Sequence, residues 1–244
     1  MSDTCSAVAE TDLLVLADTC LLLGHRLSEW CGHGPALEED IALTNCALDL
    51  IGQARRLYQL VAARRGDGWT EDRLAYLREP EDFRNLPLAA LANGDYAQTV
   101  LRAWALGLWF VIVWERLARV GDAPVAAIAA DAGKEARMLV RHTGAWVVRF
   151  GDGTAESRCR LLTARSALAP RIAELCSATI AGIDARDLHD HLHEAAQPVL
   201  RQAGLPPDWG EDAVAAATLD PAEARRELLA EMQSLARTYP DATW

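Results

Sequence analysis

Apolar residues recurring at three- and four-residue steps constrain this chain more than any other feature. Leu13, Leu16, Cys20, Leu23 and Leu27 mark one such segment, and that period lays a single apolar stripe along an α-helix. Ala and Leu lead a hydrophobic fraction of 51%. Both favour helix, whereas the β-branched residues that favour strands are comparatively sparse. The expected fold class is all-α, and 244 residues suffice to bury a substantial core.

Helix breakers divide the chain. The spacing predicts a helix over 11–31, ended by Gly32-His33-Gly34-Pro35. A second runs over 37–64, with Glu38, Glu39 and Asp40 in its first turn and Arg64 and Arg65 at its close, before Gly66 and Gly68. Those charges suit the two ends of a helix dipole. Residues 66–94 hold Pro80, Pro87 and Asn93-Gly94 and read as a long crossover. Long helices follow over 95–120 and, opened by Pro124, as far as Phe150. Thr154 and Asp184 are expected N-caps of helices reaching about Gly182 and residue 203. Asp220-Pro221-Ala222-Glu223 opens the last helix. Four long helices with one long crossover after the second make a ferritin-like four-helix bundle with additional C-terminal helices. The expected division is a flexible tail over 1–10, the bundle over 11–183, and a C-terminal extension over 184–244 packed on it.

A net charge of −11 argues against nucleic-acid or anionic-membrane binding. No apolar run of about 18 residues lacks a charge, so no membrane span is expected. Acidic residues scattered through the first 18 positions do not make a signal peptide. The six cysteines form no Cys-x-x-Cys pair, which argues against a zinc knuckle. The cytoplasm is the expected location.

A carboxylate-bridged di-iron site in such a bundle needs one carboxylate and a Glu-x-x-His pair from each half. The chain contains no Glu-x-x-His; its one acidic match is Asp190-His191-Leu192-His193, late in the sequence.

The runs Trp30-Cys31-Gly32-His33-Gly34-Pro35, Leu37-Glu38-Glu39-Asp40-Ile41-Ala42-Leu43 and Ala47-Leu48-Asp49-Leu50-Ile51-Gly52-Gln53-Ala54-Arg55 resemble the structural subunits of bacterial phenylacetyl-CoA epoxidases. Phe83-Arg84-Asn85, Asn93-Gly94-Asp95, Lys134-Glu135-Ala136-Arg137, Arg141-His142, Gly151-Asp152-Gly153-Thr154, Leu229-Ala230-Glu231-Met232-Gln233 and Trp244 extend the resemblance from about residue 20 to the end. It implies a non-catalytic subunit of a multicomponent di-iron monooxygenase that epoxidises the aromatic ring of a CoA thioester. The implied partners are a paralogous catalytic ferritin-like oxygenase subunit, a small accessory subunit and a reductase. Di-iron is expected in the catalytic subunit and no cofactor in this chain; alone, the chain is a candidate homodimer.

The resemblance also supplies the degenerate ligand positions. Where the catalytic relative has an Asp-Glu-x-Gly-His run, this chain has Asp49-Leu50-Ile51-Gly52-Gln53; Leu50 and Gln53 replace the ligand pair. Where it has Lys-Glu-Glu-x-x-His, Ala136 and Leu139 replace the pair. Glu29 is the one aligned position that stays a carboxylate. The structural-subunit family itself commonly keeps Asp at 107 and His at 139; here they are Gly107 and Leu139. Its Gly-x-His-Thr-Glu run before the last helix is replaced by Leu219-Asp220-Pro221-Ala222-Glu223. Leu and Ala offer iron no lone pair, and Gln is a weak neutral ligand. The other readings are a stand-alone ferritin-like metal oxidase and an acyl-CoA-binding homo-oligomer.

Glu29, Asp49 and Glu135, with Arg55, Lys134 and Arg141 as counter-charges, are read as a buried polar cluster. Trp30 and His33 in the first interhelical turn are candidates for partner contact, with turn packing as the simpler role of His33. His189, His191 and His193 are read as a solvated helix surface. The four-step pair His189 and His193 would need a third ligand to hold zinc. Trp104, Trp109 and Trp114 are spaced by five, so at least one is expected at the surface or an interface.

Overall fold

Local capping sets where the helices begin. In the computed structural model of the protein, which describes residues 7–120, 122–177, 179–209, 220–239 and 242, the elements are α1 (Glu10–Ser28), α2 (Leu37–Arg65), α3 (Glu71–Tyr76), a 3-10 turn (Pro80–Asp82), α4 (Pro87–Ala90), α5 (Tyr96–Val120), α6 (Ala123–Asp152), α7 (Ala155–Ser177), α8 (Ala185–Gln202) and α9 (Pro221–Thr238). Among the described residues there is no strand, only an isolated bridge between Ile180 and Ile183. The all-α expectation therefore holds. The caps read from sequence are in place: Thr154 Oγ1 accepts from Ser157 N at 3.1 Å, Asp184 from Asp187 N at 2.9 Å, and Asp220 from Ala222 N at 2.9 Å. Each satisfies an N–H that has no partner inside its helix. Helix α7 ends earlier than expected, because Ala181 and Gly182 take positive φ values of 54° and 71°. Residues 1–6, Gly121 and Trp244 lie outside the described residues.

The chain divides into two compact units: one holds Val8–Ala92 with the described part of 219–244, the other the described part of 93–218. Residues 184–244 thus do not form one extension. Helix α8 packs on α5, α6 and α7, whereas α9 packs on α1, α3, α4 and the 3-10 turn.

In the second unit α5 and α6 run antiparallel. Gly107 faces Leu139 and Val140, and Trp104 faces Gly144. Helix α5 is covered by α6, α7 and α8, and Trp104, Trp109 and Trp114 are all fully buried. The expectation that one would lie at the surface or an interface fails, because all three turn into the packed sides of α5, while Glu115, Arg116, Ala118 and Arg119 near its end take the open side. Over Tyr96–Arg119 the helix is long and apolar enough to cross a membrane, although charges interrupt the run; 83% of its most apolar window is buried inside the protein.

In the first unit α1 and α2 form the antiparallel pair, with Cys20 against Gln53 and Gly24 against Ala47 and Ile51. Its centre is polar. Asp18, wholly buried in α1, accepts from the Tyr58 hydroxyl of α2 at 2.5 Å, from Arg78 Nη1 at 3.1 Å, from Arg78 Nη2, and from the Arg84 amide at 2.7 Å. One carboxylate thereby fixes two long helices and the crossover. Burial and the Asp18 charge push the Tyr58 hydroxyl well above its usual pKa, so it stays a donor. Burial works against the Arg78 charge, but Asp18 outweighs it and holds the guanidinium above its ordinary value. Helix α9 closes the unit through backbone carbonyls: Gln233 Nε2 donates to Ala75 O and Arg78 O, and Arg26 Nη2 donates to Ala224 O at 2.9 Å.

Two outcomes follow. Asp18→Ala strands the Arg78 charge in a dry site and should lower unfolding free energy by about 3–5 kcal/mol in urea titrations, whereas Asp18→Leu combined with Tyr58→Phe and Arg78→Met should lose far less. His25 is lowered from 6.5 by burial, with Glu231 partly opposing. Unfolding lets it take up a proton, so its contribution is complete above pH 6.5 and is lost as pH falls through the lowered folded value. The melting temperature of His25→Gln should depend less on pH in that window than that of the parent.

Candidate functional site

The residues at the degenerate ligand positions are mainly apolar packing groups. In the first unit Leu50 and Gln53 are both buried. They are one turn apart on the α2 face that meets α1, and Cys20 Sγ donates to Gln53 Oε1 at 3.5 Å. Opposite this turn α1 supplies Cys20 and Gly24, not a carboxylate. A Cβ at Gly24 would lie 2.9 Å from Ile51 Cγ1 and 3.1 Å from Ala47 O, so the two helices touch nearly backbone to backbone. Glu29 is not brought to this place. It is the exposed C-cap of α1, and accepts from Arg26 Nη1 at 2.6 Å. The expectation of a carboxylate here fails on the height along α1, because the antiparallel register sets Cys20 across from Gln53.

In the second unit Gly107, Ala136 and Leu139 are buried along the α5–α6 contact. A Cβ at Gly107 would sit 2.9 Å from Val140 Cγ2 and 3.5 Å from Leu139 Cδ2. Gly107 thus packs tightly against Val140, with Leu139 in ordinary van der Waals contact beside it, so a side chain at 107 presses first on Val140. The Thr143 hydroxyl donates to Leu139 O at 2.7 Å, closing the polar groups of that turn within α6.

Neither half fits a di-iron centre. The positions offer a thiol, an amide and aliphatic groups, where oxygen-rich iron chemistry needs several anionic carboxylates. Among the described residues no group of three or more His, Cys, Asp or Glu side chains is placed to hold a metal ion.

The expected buried polar cluster does not exist as such. Asp49 and Arg55 are exposed on α2, and Arg55 reaches Glu71 at 3.6 Å. Lys134 and Arg141 are exposed on α6, where Lys134 pairs with Asp131 at 3.1 Å and Arg141 Nη2 lies 2.8 Å from Met138 Sδ; Glu135 is half-buried. These charges project from the outer faces of helices whose inner faces are apolar. The buried network of this unit is instead the one around Asp18, Tyr58 and Arg78, which the sequence did not announce. Its one signal was an aspartate inside the apolar run of the first helix, between Ala17 and Thr19.

Trp30 is half-buried and His33 exposed in the α1–α2 turn. His33 Nδ1 is 3.1 Å from Cys31 O, and the turn is held by Asp40, which accepts from Gly32 N at 2.6 Å. His189 and His193 stack with centroids 6.0 Å apart, beside Glu194, Gln197 and Arg201 on the outer side of α8. Cys46 is half-buried, and burial together with Asp49 pushes its thiol up to about 11; it is no nucleophile at neutral pH.

An all-helical protein with paired long helices falls in the class of ferritin-like proteins. The model of the phenylacetic acid catabolic protein family matches residues 2–244, and the chain belongs to that family, whose fold is all-α and ferritin-like. The chain is 43% identical over 165 residues to the C subunit of the 1,2-phenylacetyl-CoA epoxidase of Escherichia coli (strain K12). That match covers 68% of this chain and 66% of the relative, just under two thirds of its length.

The coupling at Gly107 is testable. Gly107→Asp should destabilise the protein by about 2–4 kcal/mol through overpacking and an unpaired buried charge. Adding Val140→Ala should recover at least about 1 kcal/mol in a double-mutant cycle. Strictly additive losses would show the two positions to be independent.

Proposed function

We propose that this chain is a non-catalytic, structural component of a multicomponent phenylacetyl-CoA epoxidase-type monooxygenase of phenylacetate catabolism, working in the cytoplasm. Its role is to dock and stabilise the paralogous ferritin-like oxygenase subunit, which carries the di-iron centre. A small accessory subunit and a reductase complete the assembly. The observation that carries this reading is the filling of the ligand positions by groups that do not bind iron: Leu50 and Gln53 in one helix pair, Gly107, Ala136 and Leu139 in the other. Family membership and the epoxidase named for the E. coli relative support the pathway. A protein that keeps the scaffold and gives up the ligands contributes surface and rigidity, not redox chemistry.

Co-expression with the oxygenase subunit of the same system tests this. The two chains should co-elute at micromolar concentration, with iron present in the complex and absent from this chain purified alone and treated with a chelator. Near-stoichiometric, chelator-resistant iron in the isolated chain would sink the structural reading in favour of a stand-alone oxidase. Separate elution of the two chains would sink docking.

A further inference from the structure

An open cleft lies between the end of α5 and the first half of α6. Ala118, Ala129, Ala130 and Gly133 line it with small groups, Trp114 forms its inner wall, and its volume is about 320 Å³. Pockets of this order hold small ligands. Gly133 has no steric reason to be glycine. It sits well inside α6, and an added Cβ would meet Trp114 Cβ at 3.5 Å and Arg137 Nη1 at 3.6 Å, both ordinary contacts. At Gly107 and Gly144, by contrast, a Cβ would press on a neighbour at 2.9 and 3.1 Å. Glycine is the poorest helix former after proline, so α6 gives up stability at 133, and what the missing side chain provides is depth in the cleft. Charge gathers at the rim. Arg137 Nη1 donates to Glu115 Oε1 at 3.2 Å. Arg119 Nε donates to the Glu115 backbone carbonyl at 3.0 Å, and no carboxylate among the described residues pairs with it. Two guanidinium groups against one carboxylate leave a local excess of one positive charge, on a chain whose net charge is −11. Trp114 is wholly buried, and its indole N–H has no acceptor among the described residues. The wall of the cleft thus holds an unmet hydrogen-bond donor.

We propose that this cleft binds a small organic monoanion, a carboxylate carried on a compact apolar body. The carboxylate meets the Arg119 and Arg137 guanidinium groups, whose planar forks match a two-oxygen acceptor. The apolar body lies over Gly133 and the neighbouring alanines, against the Trp114 indole. One negative charge balances the rim. A phosphate dianion would bring excess charge beside Glu115, and a neutral ligand would leave Arg119 unmatched. The small residues set the size of the body, because a side chain at 133 takes up the space it occupies. The cleft lies within the second unit, and its ligand is independent of the proposed place of the chain beside an oxygenase subunit.

Benzoate titrated into the full chain, isotope-labelled at its tryptophan indole nitrogens for NMR, tests this, with Trp114→Phe used to identify the Trp114 signal. That signal should shift saturably, with a dissociation constant below about 1 mM. Benzyl alcohol, the neutral analogue, and inorganic phosphate should each bind at least about 10-fold more weakly. Arg119→Gln should weaken benzoate binding by about 10-fold with an unchanged melting temperature, because the side chain is exposed. Gly133→Ala should raise the melting temperature while weakening binding by at least about 5-fold. A glycine kept for packing alone would not give these opposite signs. The absence of a saturable shift up to about 10 mM benzoate, binding indifferent to Arg119→Gln, or full affinity in Gly133→Ala would each overturn the site. Benzyl alcohol or phosphate binding as tightly as benzoate would overturn the assignment of an organic monoanion.

Discussion

A single buried carboxylate organises the first unit. Asp18 has no access to water, and the polar groups that meet it come from different parts of the chain: Tyr58 from α2, Arg78 and the Arg84 amide from the crossover. In a low-dielectric interior such a group is tolerated only when fully paired. The crossover must therefore lie where its guanidinium and amide reach α1. Arg78 in turn presents its carbonyl to Gln233 and Arg237 of α9. The C-terminal helix is seated on a surface that Asp18 holds in place.

The second unit is organised by apolar packing. Helix α5 buries its three tryptophans among α6, α7 and α8, and at Gly107 the Val140 and Leu139 side chains of α6 pack directly on its backbone. Leu139 fills the space beside it. In the first unit Gln53 keeps polarity in the α1–α2 contact and satisfies it with the Cys20 thiol. Both units hold long antiparallel helix pairs, and positions 50, 53, 107, 136 and 139 in them carry no anionic side chain. On the outer surface α2 exposes three large aliphatic groups, Leu37, Ile41 and Leu48.

The amino-acid sequence by itself determined the helices and their ends. Thr154, Asp184 and Asp220 cap as their residue types require, and breakers such as Gly32-His33-Gly34-Pro35 fall between helices, because capping and periodicity are local and are written within a few neighbouring residues. Tertiary structure alone decided the rest. The height of Cys20 rather than Glu29 opposite Gln53 depends on the register between α1 and α2. The burial of all three tryptophans depends on how many helices surround α5. The exposure of Asp49, Arg55, Lys134 and Arg141 depends on which helix faces find partners. The split of α8 and α9 between units, and the convergence of Asp18, Tyr58 and Arg78, depend on contacts between residues about 20 to 200 positions apart, which no local pattern encodes.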